Sequence, residues 1–464
     1  MNKYLSKLFT LAIILFALCF EALPQHKVIV YTSLEAALAK PNDVVHLDLS
    51  HNDLYKFPEQ VFQLPNLKVL ILNSNKLSVL PGSIEKLTQL EILEITRNLL
   101  KDLPGEIGKL TNLKLLNLAN NSLTVLPNEI GSLPNLEKII LSGNKLKVLP
   151  KPLGKIKSLK AIYAFNNEIA KIPNDIGKLN KLEELFLSQN KLKHLPNAIG
   201  NLEKLEKLKV SENQLANLPR RMGKLGKLTH FECSNNLIFT LPETFTNLTN
   251  LSFVDLTANK LIELPRGLNE MTKLKKLLLA RNSLVSIPSE LLEVKELTYL
   301  DLEENQLIEF QIKIDEKIAL EYLNLSKNRI TMIPPGFGNL SSLVELNLSK
   351  NYILKLPPDF NMLKKLEILT INQNRLMGLN AEFAGLTELR EINASENKIQ
   401  RLGTELGDLI KLRKANFSEN PISNIDQSIA KIQQLQDLIL FNTKLSEEQL
   451  NWLKTNMKTT YVVF

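Results

Sequence analysis

The sequence predicts a mixed α/β solenoid, in which short coils of equal length stack side by side and share one parallel β-sheet. Three observations carry that expectation. An asparagine stands every 23 residues from Asn52 to Asn420, with no insertion or deletion. A leucine stands fifteen residues after each of them, from Leu67 to Leu435. The apolar positions around each asparagine repeat as LxxLxLxxNxL, seen from Leu67 to Leu77 and again from Leu90 to Leu100. A length of 464 residues would otherwise suggest about three domains. The unbroken period instead makes residues 44–443 one elongated body with about 18 strands.

The elements follow in chain order. Lys3 and Lys7 precede an apolar stretch from Leu8 to Phe20 that only Thr10 interrupts. It is too short to cross a hydrocarbon core of ~30 Å as a helix, and it has the charged and apolar regions of a secretory signal. Residues 1–22 are therefore read as a signal peptide, its cleavage point left open by Phe20 and Ala22. Lipid attachment at Cys19 and a retained hydrophobic helix are the other readings of this stretch. Residues 23–43 form a helical cap: Thr32 as N-cap and Glu35 three residues on open a helix from Leu34 to Ala39, whose apolar face covers the first turn.

Within each repeat, the residues five and three before the asparagine are apolar and alternate with polar ones, as at Leu185 and Leu187. That is the period of a strand with one face buried. The asparagine amide sits where the strand turns away, with donors and an acceptor for backbone groups that the bend leaves unpaired. The returning arc reads LPxxIGxL, as at Leu103-Pro104-Gly105-Glu106-Ile107-Gly108-Lys109-Leu110. Proline there has no N–H for a ladder bond and glycine allows a tight bend, so an extended piece or one 3₁₀ turn is expected rather than a long helix.

These motifs resemble the leucine-rich repeat family over residues 44–443, in the 23-residue LPxxIGxL form of secreted bacterial proteins. A similar form occurs in intracellular Ras-suppressor-like and Scribble-like scaffolds. The resemblance implies a curved right-handed superhelix with the sheet on its concave face and ligand binding on that face. The absence of cysteine-rich caps fits a bacterial member.

The pattern has departures. In the turn that begins at Asn305, Gln311 replaces the proline and Lys317 the apolar residue, with Ile318 one place late, so a local distortion of the convex arc is expected. Asn380, Gly403 and Asp426 replace the last three prolines, which predicts a looser C-terminal end. Thr443 stands in the last asparagine slot. Residues 444–464 then read as a C-terminal cap: a helix from Ser446 to about Met457, with Leu450, Leu453 and Met457 on one face, and a strand from Thr459 to Phe464. With the cap in that place, no appended catalytic domain is expected.

Composition and motifs argue against most chemistry. The 57 Lys and Arg against 49 Asp and Glu give a net charge of +8 with no basic run of five, unlike the concentrated stripe that nucleic acid requires. Cys233 is the one cysteine in the repeats, so no disulfide framework arises there. His230 and Cys233 face opposite sides of their strand, which undoes a nucleophile-and-base pair. His46 and His51 make a weak metal site without further ligands. No cofactor, metal or catalytic residue is expected. Triplets such as Asn324-Leu325-Ser326 fit the glycosylation pattern only because the strand pattern generates them.

The concave face can be read row by row. Seven residues before the asparagine, Lys68, Glu91, Lys114, Glu137, Lys160 and Glu183 alternate in sign, which suits cross-strand pairing within the scaffold. Four before it, Ile140, Tyr163 and Phe186 follow one another, with Phe165 beside them; later turns place Asn324, Asn347, Asn393 and Asn416 there. A contiguous apolar patch with aromatic anchors marks a contact site. Phe253, Tyr299 and Tyr322 make a second zone. The expectation is a non-catalytic, monomeric protein that binds a protein partner through its concave sheet, secreted or surface-attached in a bacterium. Membrane contact is expected only through a lipid on Cys19. The alternatives are a cytoplasmic signalling scaffold and an envelope structural protein or adhesin.

Overall fold

The computed structural model describes residues 29–310, 318–379 and 381–464. The apolar stretch at the N-terminus, Cys19, Gln311, Lys317 and Asn380 lie outside the described residues. One parallel sheet of 20 strands runs the length of the molecule. Its outer strands are Val30–Tyr31 and Tyr461–Val463, and the other eighteen recur at intervals of 23 residues from His46–Asp48 to Asp437–Ile439. Register is constant: Ala161 pairs with Glu184, Ile162 with Leu185 and Tyr163 with Phe186. Equal repeats leave no other pairing, because a slip of one residue would turn every core side chain to solvent.

The inward residues form a single continuous core. Leu185, Leu187 and Leu182 are fully buried, and so are their equivalents along the stack. Each such leucine contributes about 1.5–3 kcal/mol relative to exposure. The leucines fifteen residues after the asparagines are buried from Leu67 to Leu435. One column of this aliphatic core turns aromatic in three successive repeats, with Phe337 and Phe360 stacked at 5.9 Å and Phe360 and Phe383 tilted at 6.2 Å.

The asparagines bond their own turn and the preceding one. Asn190 Nδ2 donates to the carbonyls of Leu187 (3.0 Å) and Ala164 (2.9 Å), while Oδ1 accepts from Ile169 N–H (2.8 Å). The same set recurs at Asn213, Asn236 and Asn259. The residue just before each asparagine, and before Thr443, is left-handed, with φ between 53° and 59° at seventeen non-glycine positions from His51 to Asn442, and 70° at Gly143. Side chains there normally cost about 1–2 kcal/mol per residue. The turn is held by its neighbours: Gln189 N–H donates to Ser211 O at 2.9 Å, and Asn190 N–H donates to Glu212 O at 3.2 Å.

The convex arc consists of five-residue 3₁₀ turns such as Gly105–Lys109, Asn174–Lys178 and Asn197–Asn201. Proline precedes each of these and serves as its N-cap residue. Ile318, which stands one place late in the sequence pattern, is buried in the core, and the expected distortion of the arc at residues 311–317 lies outside the described residues.

Where Gly403 and Asp426 replace proline, regular elements continue. Thr404–Gly407 is a short α-helix, and Arg401–Leu402 pairs with Asn424–Ile425 in a second parallel sheet. Asp426 N–H donates to Leu402 O at 2.8 Å, a bond that proline could not make. Asp426 also caps the following 3₁₀ turn through Ser428 N–H at 2.8 Å. At this position the loss of proline adds a backbone donor.

At the N-terminal end the helix is Leu34–Leu38, and Ser33 rather than Thr32 caps it, accepting from Ala36 N–H at 3.4 Å. The helix starts at Leu34 as expected and ends one residue short of Ala39. At the other end Thr443 Oγ1 donates to Leu440 O (2.9 Å), reproducing one of the asparagine bonds. Ser446 then caps helix Glu447–Asn456, which buries Leu453, and Tyr461–Val463 adds to strand Asp437–Ile439.

Candidate partner-binding face

The strand alternation that buries Ile162 and Leu185 turns Tyr163 and Phe186 outward on adjacent strands. Ile140, Tyr163 and Phe186 are neighbours in register, followed by Lys209. The two rings stack at 4.7 Å with planes 7° apart, which matches the strand spacing of about 4.8 Å. Lys138 Nζ stands 4.4 Å from the Tyr163 ring and Lys209 Nζ 5.1 Å from that of Phe186. The ring faces are thereby taken up by each other and by two ammonium groups, and the ring edges are left to meet a partner. Phe165 is half-buried beyond the strand end, where its carbonyl accepts from Gly143 N–H at 3.0 Å.

The second zone lies six residues before the asparagine, where His230, Phe253, Lys276, Tyr299 and Tyr322 are in register on five strands. His230 and Phe253 stack at 6.0 Å, and Tyr299 and Tyr322 at 3.9 Å with planes 3° apart. Lys276 Nζ is 3.9 Å from the Tyr299 ring. Lys209 and His230 stand on neighbouring strands in different rows, His230 pairing with Lys207 and Lys209 with Glu232, so the two zones lie side by side in a two-row band from Lys138 to Tyr322. The aromatic residues were visible in the sequence, but Lys138, Lys209 and Lys276 were not singled out, and His230 was considered only as a partner for Cys233. Their signal was the recurrence of a cation four or six residues before the asparagine, next to an aromatic residue in the neighbouring repeat.

Glu184 and Lys209 are paired in the band. Tyr163 O–H donates to Glu184, whose other oxygen is 2.8 Å from Lys207. Burial pushes the Tyr163 phenol up, and the Glu184 carboxylate adds to this. Burial pushes Glu184 itself up, but the bonds from Lys207 and Tyr163 outweigh that and hold it below the usual carboxylate range. Burial, with Lys207 and Lys209 nearby, pushes His230 down. Lys209 pairs with Glu232 at 2.9 Å. In the row seven before the asparagine, Lys68–Glu91 (3.0 Å), Glu91–Lys114 (2.7 Å) and Glu137–Lys160 (2.8 Å) form the expected cross-strand pairs.

Farther along, the face is polar and recessed. Asn324, Asn347, Asn393 and Asn416 turn back on their own strands, each Oδ1 accepting from the serine hydroxyl two residues on at 2.7–2.8 Å. Asn324 is buried in this bond. Beside these short side chains lies a shallow hollow of about 280 Å³, bordered by Ile368, Lys414, Asn416, Ile439 and Tyr461.

Cys233 is fully buried and burial pushes its thiol up, so it is a core residue on the face opposite to His230. Among the described residues no three His, Cys, Asp or Glu side chains come together as a metal site. His51 is exposed at a left-handed turn, while His46 is buried in its strand. Burial pushes His46 below its usual 6.5, and Asp48 opposes this. The unfolded chain therefore takes up this proton first on acidification. The stability tied to neutral His46 is full above about pH 6.5 and is lost as pH falls from there towards the folded value. His46→Gln is expected to flatten that part of the profile when urea midpoints are compared at about pH 7.5 and about pH 5.5.

A solenoid of 23-residue coils with a parallel sheet on one arc and 3₁₀ turns on the other defines the leucine-rich repeat class. The chain belongs to the leucine-rich repeat family: the profile described as leucine-rich repeat region matches residues 104–211 and 300–462, and that described as leucine rich repeat matches residues 43–100. Among solved structures it is similar to a leucine-rich repeat protein of Leptospira interrogans, at 31% identity and a TM-score of 0.73, over 94% of this chain and 100% of that one. It is also similar to the Arabidopsis receptor kinase HAESA ectodomain solved with a peptide hormone ligand (28% identity, TM-score 0.61, 86% of this chain and 75% of that one). The plant peptide hormone receptor RGFR1 in complex with RGF2 follows at 26% identity and a TM-score of 0.63, over 90% and 80%. Among curated proteins, none matches the chain. Among the described residues no helix is long and apolar enough to cross a membrane.

Proposed function

We propose that this chain is a non-catalytic recognition protein that binds a protein or peptide partner along the band from Ile140 to Tyr322 on its concave sheet. The observation that carries the reading is the stacked pair Tyr163 and Phe186 four residues before the asparagine, together with Phe253, Tyr299 and Tyr322 in the row six before it, on a surface otherwise rich in charged and short polar side chains. Preorganisation is the mechanism, since a sheet fixed by repeat stacking loses little freedom on binding. Exposed ring edges between ammonium groups favour carbonyl and carboxylate oxygens, which an extended peptide supplies. The plant receptors named above, described with peptide hormones bound, support a peptide or protein as the ligand class. The apolar N-terminal stretch, read as a signal peptide, and the Leptospira relative support a secreted or surface-attached bacterial protein.

The test is capture of a partner by the full chain, followed by a Tyr163→Ala/Phe186→Ala variant. Loss of two anchors is expected to weaken binding by about 30-fold or more. Unchanged affinity at an unchanged unfolding midpoint would remove the site from this band.

A further inference from the structure

Outside the concave sheet, the flank that follows each asparagine carries an apolar row that the core does not use. Phe239, Ile262, Val285, Ile308, Leu354 and Met377 all stand three residues after an asparagine, and their exposure runs from 48% at Val285 to 62% at Met377. Thr331 interrupts the row, and Met332 beside it is 57% exposed. Ile262 N–H donates to Phe239 O at 3.2 Å, so adjacent turns keep register here too. At about 4.8 Å per turn the row is roughly 30 Å long. In the preceding turns the same position holds Tyr55, Ser78, Lys101, Thr124, Lys147, Ala170, Lys193 and Ala216, with exposed Val79, Val125 and Val148 one place later, so the continuous row begins at Phe239.

The neighbouring row, one residue after the asparagine, is basic. From Leu237 to Lys398 it contains Lys260, Arg329, Arg375 and Lys398, with Tyr352 among them and no acidic residue. These four cations are exposed, and Arg375 lies 4.8 Å from the ring centroid of Tyr352. The far side mixes Glu263 and Glu309 with Lys355.

The geometry points to an anionic lipid surface as the occupant of this flank. Apolar side chains in a single row enter the headgroup–acyl boundary, while the adjoining cations stay with the phosphates. A second copy fits less well. Two curved solenoids laid flank to flank with their curves superposed bring the basic row onto itself. Turning one copy over avoids that clash but makes the curves diverge, so only a few turns touch. Docked in this way, the solenoid lies side-on and its concave sheet stays open to solvent.

The test is sedimentation of the full chain with vesicles of phosphatidylcholine alone and of equimolar phosphatidylcholine and phosphatidylglycerol. Preferential binding to the mixed vesicles is expected, weakening as salt is raised. An Ile262→Asp/Ile308→Asp/Leu354→Asp variant is expected to partition at least about tenfold less. Lys260→Ala/Arg329→Ala/Arg375→Ala should lose about fivefold for each charge removed. All these side chains are exposed, so the unfolding midpoint serves as the folding control. Equal binding to both vesicle types would overturn the assignment. So would variants that sediment like the parent, since they share its N-terminal apolar stretch. A dimer in sedimentation equilibrium that the aspartate variant dissociates would give the row to a second copy instead.

Discussion

Asn213→Leu is expected to lower the stability of its part of the solenoid by about 2–4 kcal/mol, through one buried amide that satisfies two turns at once. Asn213 Oδ1 is the acceptor for Leu192 N–H at 2.9 Å, and leucine leaves that buried donor with nothing in its place. The carbonyls suffer less, because each is shared. Leu187 O accepts from Asn190 at 3.0 Å and from Asn213 at 3.0 Å, so one donor survives the single change. Asn190→Leu/Asn213→Leu removes both. The double variant should therefore cost more than the sum of the two singles, by about 1–3 kcal/mol for the orphaned carbonyl. Urea unfolding measures the total, and hydrogen exchange at Leu192 locates it. Additive losses would mean that Leu187 O finds another donor.

That shared carbonyl marks where sequence reading stopped. The asparagines at a constant interval revealed the fold, the core and the bend, because each has one role in one coil. Their bonds to the preceding turn were not legible, since nothing in a single repeat says which neighbour its amide reaches. The left-handed residue before each asparagine was hidden more deeply. Arg97, Gln189, Ala258 and Lys350 occupy it with φ near 55°, and glycine appears there only as Gly143. The conformation is imposed by stacking rather than by local preference, so composition at that position carries no signal.

The candidate site divides in the same way. Tyr163 and Phe186 were legible as outward residues on adjacent strands, because the alternation that buries Leu185 dictates their direction. That their ring faces are closed by Lys138 and Lys209 depends on rotamers, and those follow from packing across repeats. The apolar flank row was present in the sequence but masked. Ile238-Phe239 and Leu261-Ile262 each place a fully buried residue directly before a half-exposed one, and periodicity cannot tell the two apart within so short a run. The Thr32 reading erred by one residue because Thr32 and Ser33 are both good caps and the Glu35 spacing favoured the wrong one.

The convex glycines set how closely the turns approach, and Gly200→Ala tests this with the larger expected effect. A Cβ at Gly200 would stand 2.0 Å from Arg221 O and 2.7 Å from its carbonyl carbon, both backbone atoms of the next turn. No side chain can rotate away to make room. The two 3₁₀ turns, Asn197–Asn201 and Arg220–Lys224, would have to separate, pulling buried Ile199 and Met222 out of register. A cost of about 3 kcal/mol or more is expected, at the upper end for overpacking. Gly226 supplies the control, since a Cβ there meets nothing within 4 Å. Gly226→Ala is expected to be neutral or to stabilise by up to about 1 kcal/mol, by restricting the unfolded chain. Urea midpoints of the two variants should therefore move apart. Equal midpoints would show that the convex arc opens at little cost, and that the spacing of the coils is set by the sheet alone.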